Sequence, residues 1–213
     1  MKKISSIFLL LILLLVSPAR GDDTDLFTVR VDPNILIIMD NSGSMNEVIY
    51  HSGYNPLTIY PGGNTNGTIY RFYNASYEKI EFTANGRTAG LLHGPGDDGG
   101  GVRYNGNYLN WIFWHATAEQ RNNLPQETRI QVARNVLDQL VKTTSGVRFG
   151  VMQFDTLTSG RDHGGMLLAE CGAAQSVLLN AVNNLRALTW TPLSETMIEA
   201  WEYFTGSATR KIF

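Results

Sequence analysis

The sequence predicts an α/β domain of the doubly wound kind, interrupted early by a segment of different composition. Three observations predict it. An unbroken apolar run at residues 35–39 lies between turn formers, the pattern of a strand buried on both faces of a parallel sheet. From residue 128 onward, helix-period and strand-like segments alternate, which is the rhythm of layered α/β domains. Between these parts, residues 46–126 show no long helical period and hold eight of the nine tyrosines and twelve of the 21 glycines.

The chain has 213 residues, 43% hydrophobic and 17% charged, a composition that builds a packed core rather than a disordered chain. The formal net charge of −2 excludes a general basic footprint for nucleic acid. A single cysteine, Cys171, excludes a disulfide-stapled scaffold and any multi-cysteine metal centre. The N-terminus reads as a secretory signal peptide at residues 1–19. Met1-Lys2-Lys3 is its positive start, residues 4–16 are an almost unbroken apolar run, and Ser17-Pro18-Ala19 supplies the small residues before a cut. The apolar run is short for a bilayer span. Export to the periplasm, outer membrane or cell surface is therefore expected, and cleavage would leave a mature net charge of −4.

Each element follows in order. Residues 35–39 form the first strand. Residues 46–126 form short strands and turns, with Gly94 to Gly101 as a flexible loop and residues 107–114 returning to the core. Ile130, Ala133, Val136, Leu137, Leu140 and Val141 share one helix face. Residues 147–154 and 166–169 are strands. Ser176 caps a helix with Val177, Leu178, Ala181, Val182 and Leu185 on one face. Thr191 caps another, with Pro192 at its first position and Leu193, Met197, Ile198, Trp201 and Phe204 on one side. That makes about three strands, fewer than such a sheet usually carries. The expectation is a fold cut short at its C-terminus, its first strand left with an open edge that invites pairing with other chains.

The segment that carries chemistry is Asp40-Asn41-Ser42-Gly43-Ser44. It follows the first strand, at the sheet edge where ligands bind in open α/β sheets. Asp40, Ser42 and Ser44 alternate along a tight loop, so their oxygens can converge, and Gly43 permits a sharp turn. A carboxylate with hydroxyls is an oxygen-only set suited to a hard divalent cation, Mg²⁺ first, then Mn²⁺ or Ca²⁺. The bland alternative is an Asx or Ser turn that satisfies its own backbone.

This segment resembles the D-x-S-x-S metal-ion-dependent adhesion site of von Willebrand factor A domains. Thr191, in Thr189-Trp190-Thr191-Pro192-Leu193-Ser194-Glu195, stands where that family adds a threonine, and residues 147–155 resemble its second strand. The resemblance covers residues 33–45 and 128–205. It implies a Rossmann-like von Willebrand factor A domain over 33–45 and 127–213, C-terminally truncated, with the Tyr/Gly-rich residues 46–126 inserted as a subdomain. It further implies a metal held by Asp40, Ser42, Ser44 and Thr191, the aspartate acting largely through water, and an open position for a partner's carboxylate. The family's later acidic residue would fall beyond Phe213.

Asn107-Tyr108-Leu109-Asn110-Trp111, Val147-Arg148-Phe149-Gly150, Cys171-Gly172 and Trp190 to Glu195 make the chain similar to the N-terminal region of PilC/PilY-type proteins. These are longer assembly factors and adhesins of type IV pilus tips. The resemblance implies non-enzymatic, metal-dependent adhesion and pilus biogenesis, with a carboxylate-bearing protein, minor pilins or the pilus tip as partners. It implies neither nucleic acid nor a small-molecule substrate. The alternatives are a structural assembly factor docking on minor pilins and a secreted binding protein unrelated to pili.

Other patterns carry less. Gly94-Pro95-Gly96-Asp97-Asp98-Gly99 matches G-x-G-x-x-G, but no helix pattern follows and two aspartates would repel a pyrophosphate. The Asp40 loop lacks the bidentate Glu of an EF-hand, since His51 stands at that position. No G-x-S-x-G elbow and no nucleophile–base pair is present. His51, His93, His115 and His163 lack ligand spacing. Arg20-Gly21-Asp22 lies at the signal junction. Asn66-Gly67-Thr68 and Asn74-Ala75-Ser76 are sequons that matter only in a eukaryotic secretory host. The tyrosines fit either a binding surface or the segment's own core.

Overall fold

The computed structural model describes residues 31–156 and 164–206. The expected signal peptide, Arg20-Gly21-Asp22 and His163 lie outside the described residues. Among the described residues, no helix is long and apolar enough to cross a membrane. The chain divides between Asp32 and Pro33, and every element below belongs to the part from Pro33 on. It is mixed α/β, with small sheets and helices.

Strands β1 (Asn34–Met39), β6 (Arg148–Phe154) and β7 (Gly165–Ala169) form one sheet in the order β1-β6-β7. β1 runs parallel to β6 with Asn34 opposite Arg148 and Met39 opposite Gln153. β7 runs antiparallel to β6, so this sheet is mixed. The connection 155–164 is too short for a crossover helix, and a short connection returns the chain antiparallel. The expectation for β1 changes. It is partly exposed along its length, because among the described residues it pairs on one side only. The strand buried from end to end is β6, the central one.

Helix α3 (Arg129–Thr143) and helix α4 (Gln175–Asn183) cover one face of this sheet. Ile130, Leu137 and Val141 from α3 and Leu178, Ala181 and Val182 from α4 pack with Phe149, Val151 and Ala169. α3 starts where sequence placed it. The Gln131 side chain accepts the Thr128 backbone N–H at 2.8 Å, closing off an orphan donor of the first turn. Val136, Leu140 and Val177 flank the buried stripes and stay exposed. Ser176 does not cap α4, since its N-cap is Ala174.

Helix α5 (Leu193–Thr205) lies over the opposite face and reverses its expected orientation. Thr196 and Ala200 are buried, and Ala200 joins Leu36, Ile38, Met152, Leu167 and Tyr203. Leu193, Met197, Ile198, Trp201 and Phe204 are each more than half exposed. Periodicity identified the apolar stripe correctly, but the small residues beside it are what fit against the strands.

Residues 46–126 build their own core. Strands β2 (Ile69–Phe72) and β5 (Val102–Asn105) form one antiparallel ribbon, and β3 (Glu78–Ala84) and β4 (Arg87–His93) another. Between them run helix α1 (Gly106–Asn110) and a π-helical turn (Trp111–His115), buried from Gly106 to Phe113. The peripheral helix α2 (Ala118–Asn122) carries a Thr117–Gln120 capping box. The tyrosine alternatives resolve toward the core. Tyr54, Tyr104 and Tyr108 are buried, and Tyr50, Tyr60 and Tyr70 pack against them. Tyr73 is exposed and Tyr77 lies at the boundary. Tyr108 stacks nearly parallel to both Tyr104 and Trp111. The Tyr104 hydroxyl accepts the Leu92 N–H, and the Tyr108 hydroxyl accepts the His51 N–H. Each buried phenol thus has a partner, as burial requires.

Burial pushes the Tyr50 hydroxyl up to about 12, with the neighbouring Glu47 carboxylate adding to it, and burial drives Tyr104 and Tyr108 upward as well. A raised folded-state value stabilises fully below the unfolded tyrosine pKa of about 10, and that stabilisation is lost as pH rises through the folded value. The urea midpoint is therefore expected to fall between pH 10 and about 12, and a midpoint independent of pH across that window would contradict the buried-phenol core. A second expectation concerns α5. Trp201→Gln with Phe204→Gln is expected to raise the concentration at which the chain stays monomeric in light scattering, with the melting temperature changed by no more than a few degrees. A loss of fold would place these side chains inside the core instead.

Candidate functional site

The predicted site lies at the C-terminal end of the parallel pair β1–β6. Asn41, fully buried, anchors it. Its Nδ2 donates to the Phe154 carbonyl at 3.2 Å and its Oδ1 accepts the Phe154 N–H at 2.8 Å. The loop after β1 is thereby tied to the end of β6. Asn41 O accepts the Leu188 N–H, and the Gly43 N–H donates to Thr189 O at 2.9 Å. Residues 188–191 are thus drawn beside the Asp40 loop, with Ser42 bridged to Thr189. The Thr189 hydroxyl donates to Asp155 O at 2.9 Å.

The four sequence-predicted residues are placed as follows. Asp40 Oδ1 accepts the Ser42 N–H at 2.8 Å, an Asx turn. The Ser42 and Ser44 hydroxyls are 3.0 Å apart and hydrogen-bonded to each other. Ser42, Ser44 and Thr191 line one open cleft of about 460 Å³, together with Gly43, Asp98 and Arg103. Asp40 is joined to Ser42 but is not among the residues that line the cleft. Thr191 does not cap α5. The cap position belongs to Pro192, which makes no side-chain cap bond. The Thr191 hydroxyl makes no hydrogen bond among the described residues and is left to the cleft. Among those residues, no three His, Cys, Asp or Glu side chains cluster to hold a metal. The set gathered here is one carboxylate and three hydroxyls, and hard oxygen donors of that kind fit a small divalent cation.

Gly43 has a different reason to be glycine than the expected sharp turn. Its φ is not positive. A Cβ there would come within 2.9 Å of Arg103 Nη2 and 3.1 Å of Nη1. The missing side chain makes room for a guanidinium. Arg103 lies on β5, and the Val48 N–H donates to Arg103 O at 3.0 Å, which registers that strand against the chain just after Ser44. Arg103 Nη2 meets Asp98 Oδ2 at 2.5 Å, and Arg71 Nη1 reaches the same oxygen at 3.1 Å. Burial alone raises the Asp98 carboxyl, but hydrogen bonds from Arg103, the Gly100 N–H and Arg71 outweigh it and hold the group below the usual carboxylate range.

The 94–101 loop, expected to be flexible, is pinned. Asn46, fully buried, accepts the Asp97 N–H at 2.7 Å and donates to Ala187 O at 2.8 Å. Asp97 Oδ2 accepts from Arg134 Nη2 at 2.5 Å and from the Ala187 N–H at 2.9 Å. Strand β5 follows the loop rather than a helix, in keeping with its rejection as a nucleotide motif. Asn41, Asn46, Asp97, Asp98 and Arg103 were not singled out as site residues by sequence. A buried-polar signal is invisible in a pattern of alternating Asn, Asp and Gly. His51, His93 and His115 stand apart: His51 and His93 pair with backbone two residues away and His115 with the Pro61 carbonyl, and Cys171 is buried and unpaired.

Replacing Asp97 by Ala is expected to destabilise the fold by about 3 kcal/mol, since it strands the largely buried Arg134 charge. Asp97→Asn, which retains an acceptor for Ala187, is expected to lose less. Urea unfolding reads both, and equal stability of Asp97→Ala and the parent would remove the latch. Comparisons with protein-family models, with curated proteins and with solved structures find no match, so the chemistry of the cleft stands on its own donors.

Proposed function

We propose that this chain is a metal-dependent protein-binding domain of the von Willebrand factor A type, acting in adhesion and biogenesis at a type IV pilus tip. The carrying observation is the convergence of Ser42, Ser44 and Thr191 on one open cleft beside Asp40, at the C-terminal end of two parallel strands. Two loops distant in sequence, the one holding Ser42 and Ser44 and the one holding Thr191, bring hydroxyls to one place, and an Asx turn alone does not call for that. Asp40, Ser42, Ser44 and Thr191 would hold the divalent ion, Mg²⁺ first. The bound ion supplies an electrophilic point for a carboxylate from a partner protein. Ser42, Ser44 and Thr191 would offer it neutral oxygens, and Asp40 would supply the negative charge of this set.

The rim suits a protein partner. Trp190 is 85% exposed beside Thr191, with Leu188 half exposed next to it, and exposed tryptophan is a frequent anchor of interfaces. The pilus setting is supported by the sequence resemblance around Asn107 to Trp111, Val147 to Gly150 and Trp190 to Glu195. The role is binding rather than catalysis, and export is part of the same reading.

Asp40→Ala is expected to weaken Mn²⁺ or Mg²⁺ binding by about 10- to 100-fold, the range for groups that act through a coordinated shell. Export is expected to be unaffected. Calorimetric titration of the purified chain measures the first and fractionation of the host the second. Wild-type metal affinity in Asp40→Ala, or attachment insensitive to a chelator, would remove this function. Loss of piliation in the Asp40→Ala strain would favour the assembly role, whereas normal piliation with lost attachment would favour adhesion.

A further inference from the structure

The cleft that gathers the hydroxyls also holds a positive charge of the protein's own. Arg103 lies against Gly43, between Ser42 and Ser44 in sequence, with two guanidinium nitrogens close to where a Cβ would stand. Asp98 lines the same cleft and holds Arg103 through Nη2 at 2.5 Å. Arg71 shares that carboxylate, so one acid answers two bases. The pair is not fully satisfied, because Arg103 Nε is buried without a hydrogen-bond partner. A buried donor left without a partner calls for an explanation, and a nearby ion is one. Both groups come from residues 46–126, whereas the hydroxyls come from the loops around β1 and α5.

Resting on the metal-site reading above, we propose that Arg103 is a resident cation that competes with a divalent metal for this cleft, and that Asp98 is the carboxylate released to the metal side when Arg103 withdraws. The physical ground is Coulombic. Two cations in a partly dry cleft repel strongly at short range, so a metal and an inward guanidinium cannot both be accommodated at low energy. Asp98 can neutralise either. Residues 46–126, which carry Arg103 and Asp98, thereby set the metal affinity of a site whose hydroxyls lie outside them. Gly43 permits the competition, since any side chain there would push the guanidinium aside.

The test is calorimetric titration of MgCl₂ and MnCl₂ into the full chain and its Arg103→Met, Arg103→Lys, Asp98→Asn, Gly43→Ala and Asp40→Ala variants. Arg103→Met is expected to bind either metal about tenfold more tightly than the parent, by loss of charge repulsion. Arg103→Lys, which retains the charge, is expected to stay near the parent, and Asp98→Asn to bind more weakly. Gly43→Ala is expected to tighten binding without removing the arginine, which keeps the test open if Arg103→Met fails to fold. In the parent, the Arg103 Nε–H resonance is expected to shift on adding Mg²⁺. Unchanged or weaker binding in both Arg103→Met and Gly43→Ala, with Asp40→Ala still weakening it, would overturn the competition and leave the metal site standing. Absence of binding in the parent and every variant would overturn both. Binding that appears only once Arg103 is removed, and that depends on Asp40, would support both.

Discussion

The buried contact between Asn46, Asp97, Arg134 and Ala187 holds together parts of the molecule that hydrophobic packing leaves separate. The apolar core of residues 46–126 and the core of the β1-β6-β7 sheet are distinct clusters. Between them run polar links: Asp97 to Arg134 on α3, Asp97 to Ala187 after α4, and Asn46 to both the 94–101 loop and Ala187. Such a node is directional where apolar contact is not. It fixes how the tyrosine-rich segment meets the sheet, and so fixes where Arg103 and Asp98 stand relative to Ser42. Asn41 does the same on a smaller scale, pairing both amide atoms with Phe154. The site is built on asparagines whose side chains substitute for backbone ladders where the strands end.

Much of the sheet domain could be read from its pattern. β6, β7 and α3 fall close to the segments that alternation and helical period marked out. What the pattern misjudged or left open has physical causes. The pattern left the direction of β7 open, and the short connection before it returns the strand antiparallel. The buried face of α5 was assigned to its large apolar residues, whereas Thr196 and Ala200 allow the close approach. α1 and the π-helical turn showed no period, because a helix buried on every side has none. Packing between tyrosines could not be told from surface stickiness, since the same amphipathic ring serves both.

The candidate site divides in the same way. Its hydroxyls and Asp40 form a compact motif, and Thr191 could be placed by its position before a helix. Their meeting in one cleft follows from Asn41 and from the Gly43–Thr189 bond. Arg103 and Asp98 gave no local signal. They reach the cleft only through the pairing of β5 with residues 47 and 48, and no local sequence pattern encodes such a register.

The pairing of β1 with β6 also bears on how the chain finds its fold. Asn41 and Phe154 are 113 positions apart, and closing a flexible loop of that length opposes folding by about 4 kcal/mol of chain entropy. The ribbons β2–β5 and β3–β4 lie within that loop and close over much shorter spans. Once they have formed, the ends of the long loop are joined by a structured body rather than by free chain, and the remaining search is correspondingly small. The tyrosine-rich segment then serves the sheet before any ligand arrives, as a folded spacer that brings two distant strands within reach of each other.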